Sequence, residues 1–571
     1  MVCAKAARAA GGIRVGRMHY RKEERMGMEL DRRAFLTGAA ASGALAALGL
    51  AGCAPQASGA PASNEGAASS DASAASSYLE AATYDIAETK DFDVVVVGAG
   101  GAGMSAATRA AELGMKTAIL EQHSSTGGTS IFTEGLFAIG SHIQKEAGKN
   151  PPDLGYDLFT KAMDYHHWYA DGGLFRKYIN ESAHDIDWME SVGIKFKGVG
   201  TMCDNEYNTW HQYDYQEGEL SGKPYVEEWT AAVQNAGAEL VLNSEGVNIV
   251  QDSDGAVTGI IAKEGSKYVQ YNAAKGVILA TGGYSDNPDM IREFGKNPDR
   301  IQPMGAGDRN GFGINAARQA GGTLAPSPGC IVPYGGCIPG IDYGCHLYCA
   351  SAFQPYFWIN QDCDRFVNEY YSERNFSFSG DAQSMQDRVI SIVTQAQMDN
   401  MFANGGTFGC GEYIHAGEPL TDLWDEFDAQ VKAGNEAVHK CDTLDELAKE
   451  LDLDADALKA SIEKYNGYCA EGVDEEFGKA AEYLFALEEG PYYAFELKVG
   501  IFTTVGGMKI NHNAQVLDGA SQPVKGLYAT GCDAGGIYGD AYDVSICEGS
   551  CQGFAVFSGK MAAEHCAGQS A

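Results

Sequence analysis

The chain has 571 residues, with 41 Lys and Arg against 77 Asp and Glu and a formal net charge of −36. A surface so acidic repels nucleic acid and anionic lipid, so membrane attachment has to come from a lipid anchor and not from a basic patch. Of the 15 cysteines, the 13 that remain without Cys3 and Cys53 are an odd number, which excludes a complete set of internal disulfides.

In chain order, Asp31-Arg32-Arg33-Ala34-Phe35-Leu36 precedes an uncharged stretch, Thr37–Gly52, and then Cys53. Twin arginines before an apolar run too short to span a bilayer read as an export signal. Leu50-Ala51-Gly52-Cys53 resembles the lipobox of bacterial lipoproteins, which makes Cys53 the lipidated residue; an ordinary cleavage site beside a chance cysteine is the other reading. Residues 1–53 are read as this signal. Residues 54–85, opening with the Ala/Ser/Gly-rich Ala54–Ser77, are read as a disordered tether with too few large apolar side chains to fold. The expected place is the cell envelope, on the outer face of the cytoplasmic membrane, reached by the twin-arginine route.

Asp93-Val94-Val95-Val96-Val97 then runs into Gly98-Ala99-Gly100-Gly101-Ala102-Gly103, a helix-like Met104–Leu113, a strand Thr117–Leu120 and Glu121. This is G-x-G-x-x-G between strand and helix, followed by an acid at the end of the second strand. The glycines let backbone approach a pyrophosphate, the helix N-terminus faces its charge, and the carboxylate accepts from a ribose hydroxyl. Phe175–Val192 reads as an amphipathic helix, Val247–Val257 and Gly259–Glu264 as paired strands, and Gly276–Ala280 as a buried strand ending in Thr281-Gly282-Gly283. Five cysteines crowd into Cys330, Cys337, Cys345, Cys349 and Cys363, and Cys547 and Cys551 form a C-x-x-x-C pair. Cys330, Cys337, Cys345 and Cys349 are candidate ligands of a [4Fe-4S] cluster; buried apolar thiols are the alternative. Thr443-Leu444-Asp445-Glu446 fits a capping box, Asp454–Asn466 a helix, and Val505–Ile510 and Gly526–Thr530 short strands. The pattern is α/β: a doubly wound nucleotide domain interrupted by a cap and completed by the C-terminal residues.

Val94–Gly103, Gly127-Gly128-Thr129-Ser130, Val277–Tyr284, Gly307-Asp308, Arg365-Phe366-Val367-Asn368-Glu369 and Gly526–Gly531 occur in that order. Together they resemble the fumarate reductase/succinate dehydrogenase flavoprotein family. The resemblance implies a doubly wound FAD-binding domain (86–330 and 501–571) with an inserted α+β cap or substrate domain (331–500), and non-covalent FAD. It implies Gly98, Gly100, Gly101 and Gly103 at the pyrophosphate, Glu121 at the adenosine ribose, and Gly127, Gly128, Thr129 and Ser130 along the flavin. Ala280, Thr281, Gly282 and Asp308 would complete the nucleotide site, with the Ser545-Ile546 backbone at the isoalloxazine. Glu369 would relay a proton, with Arg374 next in line.

Departures from the family pattern matter as much. Phe502-Thr503-Thr504-Val505-Gly506-Gly507 has no histidine where fumarate reductases carry one, Tyr542 stands where they carry an arginine, and Gln395–Asp399 lacks the cap arginine. Bidentate arginine recognises carboxylate, so a small dicarboxylate is not expected. Tyr542 either hydrogen-bonds the substrate carbonyl, donates the proton, or simply packs. Tyr334, Tyr343, Tyr348 and Tyr356 either shape the pocket or fill the core. The implied activity is reduction of an activated C=C bond in a large, neutral α,β-unsaturated carbonyl compound, such as the unsaturated lactone of a cardenolide. The partners are then a small-molecule electron acceptor and a cytochrome-type donor. A 3-ketosteroid Δ1-dehydrogenase and a flavin-containing binding lipoprotein are the alternatives.

Overall fold

The computed structural model describes residues 78–79, 82–149, 154–203, 207–215, 221–411 and 413–568. The twin-arginine stretch, Cys53 and Ala54–Ser77 lie outside these residues. The fold is mixed α/β. Strand β1 (Ile86–Val97) leads into helix α1 (Gly101–Glu112) and strand β2 (Thr117–Leu120). Val94–Val97 are all buried, as expected of a strand covered on both faces. β2 lies parallel to β1, with Val94 opposite Thr117 and Val97 opposite Leu120. On the other side β1 is parallel to β3 (Lys267–Leu279), which in turn is parallel to β4 (Pro523–Ala529). The parallel order is β4–β3–β1–β2–Glu239–Val241 within an eight-stranded sheet. The last helix, α2 (Ser550–Cys566), returns to cover α1. At their crossing a Cβ on Gly559 would stand 2.2 Å from the Ala102 carbonyl oxygen, so only glycine permits it.

A second, six-stranded sheet gathers around the long strand Tyr492–Thr504. Ile301–Pro303 joins it in parallel, and Ile331–Cys337, Val389–Thr394 and Val438–Cys441 antiparallel, with Phe357–Asn360 outside Val389–Thr394. Its outer face carries a separate apolar cluster that includes Phe357, Ile390, Leu447, Leu458, Ile462 and Tyr465. The sheet thus draws strands from residues 301–504, beginning before the expected cap and ending just beyond it.

Local signals differ in how they fared. The Thr443–Glu446 capping box forms on Leu444–Glu450, and Asp454 caps Ala455–Glu471, which buries Leu458, Ile462 and Tyr465. The helix expected at Phe175 begins at Gly172, because Asp171 accepts from the amides of Gly173 and Leu174. The two paired strands are Ser244–Gln251 and Val257–Glu264, since Asp252 accepts from the amides of Asp254 and Ala256 and makes the turn between them. Only Met508–Lys509 of Val505–Ile510 is a strand. Gly506 and Gly507 are pressed against the backbones of Ser327 and Asp533 instead.

Glu369 and Arg374, expected to relay a proton, sit in ion pairs away from the cavity described below. Glu369 is fully buried and accepts from Arg365 Nε at 2.9 Å and Nη2 at 2.7 Å, with Lys479 Nζ 3.0 Å away. Arg365 also donates to Asp474 at 3.0 and 3.1 Å. Burial pushes the Glu369 carboxyl up, and Lys479 and Arg365 more than reverse this, holding it below the usual range. Arg374 pairs with Glu373 at 3.1 Å and lies over the Phe408 ring. Neither residue lines the cavity described below; the R-F-x-N-E motif closes an ion cluster inside the second layer. No helix among the described residues is long and apolar enough to cross a membrane.

Removing one charge of such a cluster leaves the others buried and unbalanced. Glu369→Gln should therefore lower the unfolding free energy by about 3–5 kcal/mol, read as the urea midpoint, while the fraction that folds turns over normally. Unchanged stability with lost turnover would return Glu369 to a relay role.

Candidate active site

The carboxyl ends of β1, β3 and β4 open on one cavity of about 1660 Å³, its open mouth included. Gly98, Gly100, Gly101, Glu121, Gly128, Thr129, Ser130, Ala280, Thr281, Gly282 and Asp308 all line it. Gly98 has φ +101°, and a Cβ there would meet the Ala280 carbonyl oxygen at 2.3 Å. Gly103 stands behind the lining, where a Cβ would lie 1.8 Å from the Gly98 oxygen. It lets the first turn of α1 press onto the glycine loop. Gly127, at φ +111°, is packed against Val226 in the same way. The Glu121 carboxylate accepts from the amides of Ala99 at 2.8 Å and His123 at 2.9 Å, and each oxygen keeps a lone pair for a ribose hydroxyl. Ser545 and Ile546 are outside the lining, contrary to expectation. The Ile546 and Cys547 amides both donate to the Asp543 carbonyl, and Ser545 Oγ accepts from Asn375. Val544, Gly549, Cys551 and Gln552 form the wall instead.

Three residues no motif announced hold the cavity together. Asp533 accepts from the Thr281 amide at 2.6 Å, from its hydroxyl, and from the Gly283 amide at 3.1 Å. Gln552 accepts from Ser130 Oγ at 2.9 Å, and Ser130 Oγ accepts from the Gly101 amide at 3.1 Å. Arg309 donates to Asp286 at 2.7 Å, to Thr129 at 3.1 Å and to the Phe502 carbonyl. Its Nη2 is buried without a hydrogen-bond partner. An unanswered donor in the wall, an amide-rich helix N-terminus and a backbone cradle that only glycine permits all fit FAD.

Beyond Thr129 and Arg309 the lining turns aromatic. The Tyr334 ring lies 4.7 Å from Tyr343, 4.9 Å from Phe376 and 4.9 Å from Phe502. The hydroxyls of Tyr334 and Tyr343 are 2.5 Å apart. A Cβ on Gly411 would sit 2.8 Å from Glu134 Oε1 and 3.0 Å from the Tyr343 hydroxyl, so both polar tips border that glycine. Glu134 is only 7% exposed, and Arg309 is the one arginine or lysine among the described residues lining the cavity. Burial raises the phenols of Tyr334 and Tyr343 well above their ordinary value, as does nearby Glu134. Tyr542 lines the cavity too, and burial raises its phenol likewise. Tyr334 and Tyr343 thus belong to the lining; Tyr348 and Tyr356 are core residues outside it.

The cysteines do not gather as a cluster. Among the described residues, one group of three His, Cys, Asp or Glu brings its ligand atoms within 4.8 Å of one another, the exposed His142, Asp187 and Glu190. Cys330, Cys337, Cys345 and Cys349 are placed apart by separate duties. Cys345 caps His346–Ala352, Cys349 approaches the Phe408 carbonyl, and Cys330 and Cys337 are buried in the core. Burial raises Cys337, Cys345 and Cys349 to about 12, which disfavours the thiolates that iron requires. Cys551 does not pair with Cys547 but lies 3.9 Å, sulfur to sulfur, from Cys532.

The FAD binding domain family matches residues 93–545. Vinyl phenol reductase of Lactiplantibacillus plantarum is 36% identical over 84% of this chain and 97% of its own length. Digoxin reductase of Eggerthella lenta is 26% identical over 92% of this chain and 95% of its own. The open conformation of a flavocytochrome c3 fumarate reductase superposes with a TM-score of 0.62 at 24% identity, over 85% of this chain and 79% of that one, which shows the shared fold. With its glycine cradle, acid and second strand turn all converging on one cavity, the chain belongs to the FAD binding domain family and is a flavin oxidoreductase of the fumarate reductase/succinate dehydrogenase kind.

Proposed function

We propose that this flavoprotein reduces the C=C bond of a flat, neutral, conjugated alkene held in the aromatic part of the cavity. The observation that carries this is the make-up of that part. Tyr334, Tyr343, Phe376 and Phe502 surround a hydroxyl pair, and the guanidinium of Arg309 is already engaged by Asp286, Thr129 and Phe502. A dicarboxylate calls for free arginines in bidentate geometry. A phenol, an enone or an unsaturated lactone calls for ring surface and a donor to its oxygen. Vinyl phenol reductase and digoxin reductase, two relatives matched over nearly their whole length, point the same way.

FAD would be held by the Gly98–Gly101 loop, Glu121 and the Thr281–Gly282 turn, and when bound it would supply hydride chemistry. The chain's own residues do the rest. Tyr343 and Tyr334 hold the substrate oxygen and remain protonated donors at neutral pH, with Glu134 beside Tyr343. Tyr542, which also lines the cavity, delivers the proton to the other alkene carbon. The aromatic walls exclude water. Electrons come from a cytochrome-type donor; the twin-arginine stretch before Cys53, read as an export signal, and the single strand–G-x-G-x-x-G–acid unit in the sequence support this.

The deciding experiment is anaerobic oxidation of reduced viologen with a panel of alkenes. Vinyl phenols, enones and cardenolides should exceed fumarate in kcat/KM by about a hundredfold or more. Preference for fumarate would overturn the proposal, and dye reduction by saturated 3-ketosteroids would favour the dehydrogenase alternative. Flavin should be released on denaturation.

Two substitutions divide the roles. Tyr343→Phe should lower kcat/KM about ten- to a hundredfold on an oxygen-bearing substrate and leave flavin retention intact. Tyr542→Phe should lower kcat by about a hundredfold; normal turnover would make Tyr542 a packing residue.

A further inference from the structure

Cys532 and Cys551 are the two cysteines among the described residues that line the cofactor cavity, and both are partly exposed to it. Their sulfurs are 3.9 Å apart. They sit on different elements, Cys532 in the turn Gly531–Asp533 after β4 and Cys551 in the first turn of α2. Each adjoins a residue that holds the cavity: Asp533, on the Thr281–Gly283 turn, and Gln552, on Ser130. The Cys551 hydrogen bond, working against burial, lowers the Cys532 thiol pKa, with smaller help from Thr503 and Arg309. Cys551 is raised well above its ordinary value, first by the same contact and then by burial. Two thiols this close, on separate elements of one cavity wall, can act as nucleophile and resolving partner.

We propose that Cys532 and Cys551 are a dithiol modification site in the cavity wall, which small disulfides convert to an intramolecular disulfide that loosens the cofactor. The Cys532 thiolate attacks one sulfur of the small disulfide, whose S–S bond breaks and releases one thiol that takes up the Cys532 proton. Cys551 sulfur then attacks the Cys532 sulfur of the mixed disulfide, and its proton leaves with the second thiol. The balance is two protein thiols and one small disulfide giving one protein disulfide and two small thiols. Bonding requires the sulfurs to close to about 2.05 Å. That movement draws the Gly531–Asp533 turn and the start of α2 together, against the hydrogen bonds that Asp533 and Gln552 make to the cavity wall.

The test treats the FAD-loaded full chain with oxidised glutathione, followed by acid quench, alkylation of free thiols and peptide mass spectrometry. The expected result is a Cys532–Cys551 peptide, lighter by two hydrogens than its dithiol, formed before other cysteines react. The flavin absorbance should shift, more FAD should be lost on desalting, and dithiothreitol should reverse both. Cys551→Ser should stop at a glutathione adduct on Cys532, and Cys532→Ser should give neither product. Modification spread over other cysteines without this cross-link, or a cross-link that leaves FAD retention unchanged, would overturn the proposal.

Discussion

The buried carboxylate of Asp533 accepts hydrogen bonds from the turn at the end of β3, and the rest of the cavity depends on that knot. Burial raises its pKa, and the amides of Thr281 and Gly283 with the Thr281 hydroxyl pull it back, each bond answering part of the cost of burying a charge. By fixing Thr281–Gly283, the carboxylate fixes Ala280, whose carbonyl backs the glycine loop at Gly98. The order of assembly follows. The N-terminal strand, helix and strand supply the loop, β3 supplies the surface it leans on, and β4, with the turn after it, must return from the far end of the chain before the loop has a firm support. A fingerprint read from residues 93–121 is thus completed some four hundred residues later.

Arg309 is the second organising contact. One guanidinium joins Asp286, Thr129 on the cofactor side and the Phe502 carbonyl on the substrate side. It stabilises the boundary between the two halves of the cavity without offering a bidentate face to a carboxylate. Beyond it, recognition passes from charge to ring surface and hydroxyl. On the proposed function, such a site selects by shape and by where a single oxygen falls.

Legibility in the sequence followed the range of the interaction. The glycine fingerprint, the second strand with its Gly-Gly turn and the capping box at Thr443 depend on neighbours within about thirty residues. They were readable, and so was the family. Ser545-Ile546 was expected at the isoalloxazine, but the wall is set by where the Asp543 turn ends and α2 begins, a matter of a few residues that spacing does not reveal. The crowding of Cys330, Cys337, Cys345 and Cys349 suggested a cluster, but proximity in sequence was dispersed by a strand and a helix that send each thiol elsewhere. Cys532 found its partner in Cys551 across two elements. Glu369 is the sharper case. A carboxylate in a conspicuous motif is equally apt for proton transfer and for balancing Arg365 and Lys479, and only its surroundings decide. Glu134 carried no local signal at all, since it and Tyr343 come to border Gly411 only in space.

The strand Tyr492–Thr504 runs through the centre of the second sheet and ends at the cavity. Phe502 lines the aromatic part of the cavity, the next hydroxyl, Thr503 Oγ1, donates to the Gly282 carbonyl at 3.1 Å, and Thr504 Oγ1 accepts from the Tyr284 amide at 3.0 Å. Substrate wall and cofactor support are therefore consecutive residues on one pleat. Divergence of this protein toward new substrates is constrained accordingly. An insertion or register slip in that strand would move both functions at once, whereas the turn and short helix that carry Tyr343 and Phe376 can be rebuilt without disturbing the flavin. New specificities in such a scaffold should accumulate on those short elements, and the strand should remain the part that descendants share.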